Sequence, residues 1–298
     1  MTRALDISDG GVAGRERVLV TGGTGNTGRY IARRLEALGH PVRVASRTAP
    51  AASGDHVPFD WAEATTHEAA LPGVTRAYLV APAFVQDPAP LMLPFIERAL
   101  QRGVRRFVLL SSSAIADGGP GLGSVERLLR ERAPEWAVLK PSWFMQNFFD
   151  PRHAHGATLS RDDLIMSSTG PGRVAFVDAD DIAEVGVRAL SDEPSHDAAH
   201  VITGPEALSY GDVAAILGKV TGRSLRYVQV SDDEARRRLT AAGMPASYAE
   251  LLVSLDIAIR EGTEDRVTDT VERVTGRRPR SFEAFARAHA AASGAGSG

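Results

Sequence analysis

Cysteine is absent from the 298 residues, which excludes disulfides, thiol nucleophiles and zinc–thiolate centres. Lysine is almost absent as well: Lys140 and Lys219 are the only two, and every other basic side chain is arginine. No apolar run approaches the roughly 20 residues that span a bilayer. The first 17 residues carry acidic groups and glycines without the apolar stretch of a secretory signal, so the cytoplasm is the default location. A formal net charge of -3 gives no global attraction to nucleic acid or anionic membrane. No nucleic-acid or membrane partner is therefore expected; a small-molecule substrate is, with homodimerisation left open. Aromatic residues make up only 6% of the chain, against 43% hydrophobic and 24% charged, so any aromatic cluster carries weight.

What is present begins with Val18-Leu-Val-Thr-Gly-Gly-Thr-Gly-Asn-Thr-Gly28. A short apolar run stops at a glycine cluster, and the helix-like segment Arg29–Leu38 follows at once. Gly22, Gly25 and Gly28 are spaced for a strand-to-helix turn that brings backbone N–H groups against a pyrophosphate at a helix N-terminus. Thr24, Asn26 and Thr27 complete the loop. A dinucleotide is the expected ligand. An NAD site usually places a carboxylate at the end of the second strand, about 20 residues on. Here stand Ser46 and Arg47, and a guanidinium there suits the 2′-phosphate of NADPH or NADP+. Asp60, after the third strand, could accept from the adenine amino group or simply close a turn.

Strand-like and helix-like segments alternate through the first half, as an α/β, Rossmann-type doubly wound parallel sheet requires. Strands are expected at Arg17–Val20, Val42–Ala45, His56–Phe59, Ala77–Val80, Phe107–Leu110 and Ala137–Leu139. The organisation reads as a flexible extension over 1–16, a dinucleotide-binding domain over 17–150, a substrate lobe over 151–292 and a flexible tail over 293–298. Trp143–Arg173 is loop-like, Val174–Val177 strand-like, and further helices are expected from Asp180 onwards. The ligand crevice should lie beyond the carboxyl ends of the strands.

Several candidate residues fall at those ends. Ala81 and Pro82 close the fourth strand, with Phe84 just beyond. Ser111, Ser112 and Ser113 close the fifth, where hydroxyls could meet nicotinamide or substrate or merely satisfy the strand end. Lys140 follows the sixth strand and could touch cofactor, act as an acid or pack. Trp143, Phe144, Asn147 and Phe148 belong to the densest aromatic cluster and could wall an apolar substrate or plug the core. His153 lies in a presumed lid loop and could donate a proton. No metal set is evident. The Tyr-x-x-x-Lys pair of short-chain nicotinamide reductases is missing: Tyr30, Tyr78, Tyr210, Tyr227 and Tyr248 are followed four residues later by Arg34, Pro82, Ala214, Ser231 and Leu252.

Taken together, Val20–Gly28, Ser46-Arg47, Leu139–Phe148, Phe176–Ala183, Ile202–Glu206 and Val274–Phe282 resemble the NmrA-like, atypical short-chain dehydrogenase/reductase family. Within it the chain is most similar to festuclavine-synthase-like (ergot alkaloid type) NADPH reductases and to quinone- or azo-reductase-like members. The resemblance implies a smaller C-terminal α+β lobe over the substrate cleft and NADPH as cofactor. It also accounts for the missing tyrosine–lysine pair, since many members lack it. The activity it implies is hydride transfer to an iminium, quinone or enone, in secondary metabolism. A non-catalytic NADP(H) sensor binding a partner protein, or a non-redox cyclase or isomerase, remains compatible with the same sequence.

Overall fold

The computed structural model describes residues 16–49 and 54–294. Expectations for residues 1–15 and 295–298 lie outside them. Strand β1 (Arg17–Thr21) leads through the glycine turn into α1 (Gly28–Ala37), followed by β2 (Val42–Ser46) and β3 (Asp55–Pro58). Then come α2 (His67–Ala70), β4 (Val74–Val80), α3 (Ala89–Gln101), β5 (Arg106–Leu110), α4 (Leu122–Arg132) and β6 (Glu135–Pro141). The parallel sheet runs β3-β2-β1-β4-β5-β6 and takes a seventh strand from much later in the chain. Its strands read as near-continuous apolar runs because both faces are covered. Phe95, Phe107 and Leu109 pack on the α3/α4 side, while Ile31, Leu35 and Tyr78 pack on the α1 side. The order reverses between β1 and β4, the switch point where such sheets bind ligands.

Beyond Pro141 the expected long loop is replaced by structure. A single tight turn spans Met145–Phe148, then α5 (Ala154–Asp162) and β7 (Leu164–Ser167) form. The α5 sequence, with Gly, Thr and Ser inside it, has poor helix propensity, and packing overrides it. Gly156 sits so close to the preceding chain that an added Cβ would lie 2.1 Å from the Asp150 carbonyl oxygen. Leu159 is buried in the lobe core. The strand expected at Val174–Val177 shrinks to β8 (Arg173–Val174), with Val177 held instead by Trp143 and Met145 through 2.9 Å backbone bonds.

The rest comprises α6 (Ala179–Ser191), β9 (Ala198–Ile202), β10 (Leu208–Ser209), α7 (Tyr210–Thr221), β11 (Arg226–Gln229), α8 (Asp232–Ala241), α9 (Ala246–Arg260), α10 (Thr270–Thr275) and α11 (Phe282–Gly294). Strand β9 returns to the main sheet beside β6, and α6 packs on α1. Small pairs β8–β10 and β7–β11 belong to the lobe, whose core gathers Phe148, Phe176, Tyr210, Phe282 and Phe285. Asp178, 1% exposed, fastens this lobe to the sheet: it caps α6 through Asp180 N and accepts from Gln146 Nε2 at 2.6 Å and Arg280 at 2.8 Å. Among the described residues no helix is long and apolar enough to cross a membrane.

Candidate functional site

The glycine turn is built by close approach. Gly22 takes φ +60°, a left-handed conformation that costs glycine nothing. An added Cβ at Gly28 would lie 2.3 Å from the Gly22 carbonyl oxygen, so only glycine lets α1 start against the end of β1. Above Gly25 space is open apart from that same oxygen at 3.1 Å, and Thr24 and Gly25 are exposed. Among the described residues the first-turn N–H groups of Asn26, Thr27 and Gly28 have no protein acceptor, as at any helix N-terminus awaiting an anion. The loop therefore offers a cradle that fits a pyrophosphate. Thr27 contributes backbone only: its hydroxyl turns inward to share a 2.8 Å hydrogen bond with the Tyr78 hydroxyl. Burial pushes that phenol well above its ordinary range, so Tyr78 is neutral and structural.

At the end of β2, Arg47 is exposed, and among the described residues its guanidinium has no partner. Most other described arginines are engaged in ion pairs, whereas Arg47, at the end of β2, is available to a phosphate. The Ser46 hydroxyl is occupied, donating to Thr48 O at 2.7 Å and lying 3.1 Å from His56. Asp60 closes a turn by accepting from Ala62 N at 3.0 Å. The end of β4 is tied to β1, with Val80 N donating to the Thr21 hydroxyl at 2.8 Å. Ala81 and Pro82 follow, half-buried, and Phe84 takes φ +61° with 58% exposure, its ring edge-on to Tyr248 of α9 at 5.6 Å.

At the end of β5 the three serines diverge. Ser111 donates to Glu126 Oε1 at 2.5 Å. Ser112 accepts from Ala114 N at 3.3 Å and keeps its own proton to give. Ser113 donates to Glu264 Oε2 at 2.8 Å, across 151 residues of sequence. Glu264 is 5% exposed, and nothing in its local sequence singles it out. Beyond it the chain crosses the strand ends: Arg266 donates to Ser113 O, and Thr268 bonds Val201 O and the Thr203 hydroxyl.

Two expected candidates have partners within the protein. Lys140 is 5% exposed, and its ammonium donates to Asp117 Oδ1 at 2.6 Å and Glu126 Oε2 at 3.3 Å. His153 Nδ1 accepts from His155 N and caps α5, and burial lowers its pKa against the pull of Asp150, which makes the ring a structural cap at the start of this helix.

The aromatic cluster divides in the same way. Trp143 packs against the lobe core and Phe144 against the sheet core, as successive residues of an extended segment must. Asn147 is half-buried. Phe148 does not wall the crevice: it is 2% exposed among Phe176, Tyr210 and Phe282 and borders a groove of about 640 Å³ between α5, α7 and α11. A second apolar stripe lies on α9, against which α8 packs. Tyr248, Leu251, Leu252 and Leu255, at i, i+3, i+4 and i+7, share one face, are half-buried and belong to none of the three core clusters. That face starts at Phe84 beyond β4, and the chain leaving α9 reaches Ser113 beyond β5, so α9 lies along the strand ends.

Known proteins match this arrangement. The NmrA-like family matches residues 123–286, and the NAD dependent epimerase/dehydratase family matches 18–134. The uncharacterized oxidoreductase YesF of Bacillus subtilis is 47% identical over 92% of this chain and 95% of its own. Agroclavine dehydrogenase of Claviceps fusiformis is 37% identical over 90% and 95%. Among solved structures, an NADPH-dependent quinone oxidoreductase of Escherichia coli complexed with NADPH superposes with TM-score 0.76 at 21% identity, covering 91% of this chain and 99% of its own. The resemblance read from the motifs therefore holds. The chain is an NAD(P)-dependent oxidoreductase and belongs to the NmrA-like family.

Proposed function

We propose that the chain is an NADPH-dependent reductase that transfers hydride to a small, largely apolar, conjugated or cyclic acceptor: an iminium, a quinone or an enone. The observation that carries this reading is the half-buried apolar stripe of α9, a helix that meets Phe84 beyond β4 and leads into the segment that meets Ser113 beyond β5. Pyrophosphate would rest on the N–H groups of Asn26, Thr27 and Gly28, and the 2′-phosphate on Arg47. Ala81, Pro82 and Ser111–Ser113 would border the nicotinamide, with Phe84, Trp143 and the α9 leucines bordering the acceptor. Bound NADPH supplies the hydride.

Neither Tyr78 nor Lys140 is free to act as an acid, and no Tyr-x-x-x-Lys pair exists. That favours acceptors which need little help from a protein proton donor, and holding the reactants together carries most of the acceleration. Where a proton is required, Ser112 or water provides it. The relatives, an agroclavine dehydrogenase and an NADPH-dependent quinone oxidoreductase, lean the same way and suit a role in secondary metabolism. Steady-state NADPH consumption against a panel of iminium, quinone and enone acceptors tests the proposal. Tight NADPH binding without consumption by any of them would instead indicate a sensor.

A further inference from the structure

Phe84 has a backbone conformation that the chemistry above does not explain. A bulky side chain rarely takes φ +61°, and such a residue persists only where its surroundings hold it. Its ring is 58% exposed, yet it meets Tyr248 edge-on, with centroids 5.6 Å apart and ring planes at 84°. The contact falls beside the pyrophosphate cradle. Val80 ends β4, and a Cβ added to Gly22 of the glycine turn would lie 3.1 Å from its Cβ. Phe84 follows Val80 by four residues, a reach of at most about 14 Å. Tyr248 stands in the first turn of α9, at the tip of a helical hairpin in which α8 packs on α9 and Arg236 pairs with Glu250. The base of this hairpin is fastened to the lobe. Arg260 donates to Ser168 O at 2.7 Å and to Asp232 at 2.8 Å, and Asp256 accepts from Ser168 N at 3.0 Å. Gly172 lies so near that an added Cβ would be 2.3 Å from the Ile259 carbonyl oxygen. At the tip, by contrast, the Tyr248 hydroxyl makes no hydrogen bond among the described residues, so Tyr248 engages Phe84 through its ring alone.

We propose that Phe84 and Tyr248 are the catch of a lid formed by α8 and α9, and that parting their rings gates the passage of NADP(H) into and out of the crevice. The inference rests on the cofactor reading and adds its kinetics. A firmly held base lets the hairpin pivot, and a single ring contact at the tip is cheap to break. A catch made in the free and the loaded protein alike slows entry and exit by the same factor. It therefore sets the rates of exchange and leaves affinity unchanged.

Stopped-flow NADPH fluorescence gives kon and koff for the wild type, Phe84→Ala, Tyr248→Ala, the double variant and Tyr248→Phe. Either alanine should raise both rates about 3- to 10-fold, the scale of one edge-on aromatic pair, with Kd kept within about twofold. The double variant should add nothing further, and Tyr248→Phe, which keeps the ring, should match the wild type. A higher koff with unchanged kon would make these rings direct cofactor contacts and overturn the proposal, as would unchanged rates or effects that add. A second measurement covers alanine variants that fail to fold. The chain has no cysteine, so Phe84→Cys with Tyr248→Cys can be bridged by a bis-methanethiosulfonate reagent and released by reductant. Bridging the NADPH-loaded protein should slow koff about tenfold or more, reversibly, because the lid can no longer part. An unslowed koff would refute the gate while leaving the cofactor reading intact. Wild-type protein that binds no NADPH would remove the cofactor reading and the gate with it, whereas gated binding without turnover would refute only the reductase reading.

Discussion

Replacing Lys140 with methionine separates a buried ion pair from a catalytic group. Methionine fills the aliphatic stem and removes two contacts, to Asp117 at 2.6 Å and to Glu126 at 3.3 Å. The two lost contacts are unequal. Asp117 is 58% exposed, and water replaces the ammonium there at little cost. Glu126 is 1% exposed and would keep only the Ser111 hydroxyl as a partner, leaving a desolvated carboxylate without a countercharge. Breaking such a pair from one side costs about 3–5 kcal/mol. At roughly 2–4 °C per kcal/mol for chains of this class, the melting temperature should fall by about 6–20 °C. Adding Glu126→Leu should recover most of that loss, because exchanging both charges for apolar groups is close to neutral. The assay is thermal unfolding with and without NADPH, alongside NADPH titration. An unchanged melting temperature with NADPH affinity lowered tenfold would mean that Lys140 serves the cofactor and not the buried pair.

Other substitutions follow from the same geometry. Arg47→Ala should leave stability within about 0.5 kcal/mol, since the side chain is exposed and among the described residues has no partner. NADPH affinity should fall about 5- to 30-fold and NADH affinity hardly at all; equal losses in paired titrations would cancel the 2′-phosphate assignment. Gly28→Ala forces a Cβ to within 2.3 Å of the Gly22 carbonyl oxygen, so dinucleotide binding should be lost with about 1–3 kcal/mol of stability, read by titration and denaturant unfolding. Phe148→Ala should cost about 3–5 kcal/mol as a core cavity, and a KM effect without destabilisation would restore it to the substrate wall. Burial depresses the His155 pKa to about 3 from 6.5. The unfolded chain therefore binds the proton more readily, and this contribution, complete above about 6.5, is lost as pH falls towards the folded value. His155→Phe should flatten the acid limb of the stability–pH curve.

How far the sequence could be read depended on how local each signal was. The strand–turn–helix at Val18–Leu38 was legible because glycine spacing, apolar run and helix start lie side by side, and the parallel sheet because its strands are buried on both faces. Arg47 could be placed by counting from the turn. By contrast α5 was hidden, since its propensity is poor and it forms by Gly156 packing on the Asp150 backbone. Lys140 and His153 are attractive chemistry-bearing residues in a list, yet the partners that occupy them, Glu126 and the α5 backbone, are fixed only by tertiary contact. Glu264 meets Ser113 over 151 residues, a separation no pattern along the chain reveals. The α9 face has helical periodicity, but periodicity alone does not distinguish a wall facing a ligand from one facing a core.

Hydride transfer from bound NADPH to an apolar acceptor held along α9 can be followed by single-turnover stopped flow, with protein in excess over NADPH and an N-methyl iminium or naphthoquinone added. NADPH absorbance should be lost completely and in a protein-dependent way with at least one acceptor, and more slowly when Leu252 and Leu255 are both changed to glutamine while NADPH affinity is kept. NADPH that stays bound and reduced in the presence of every acceptor would contradict it.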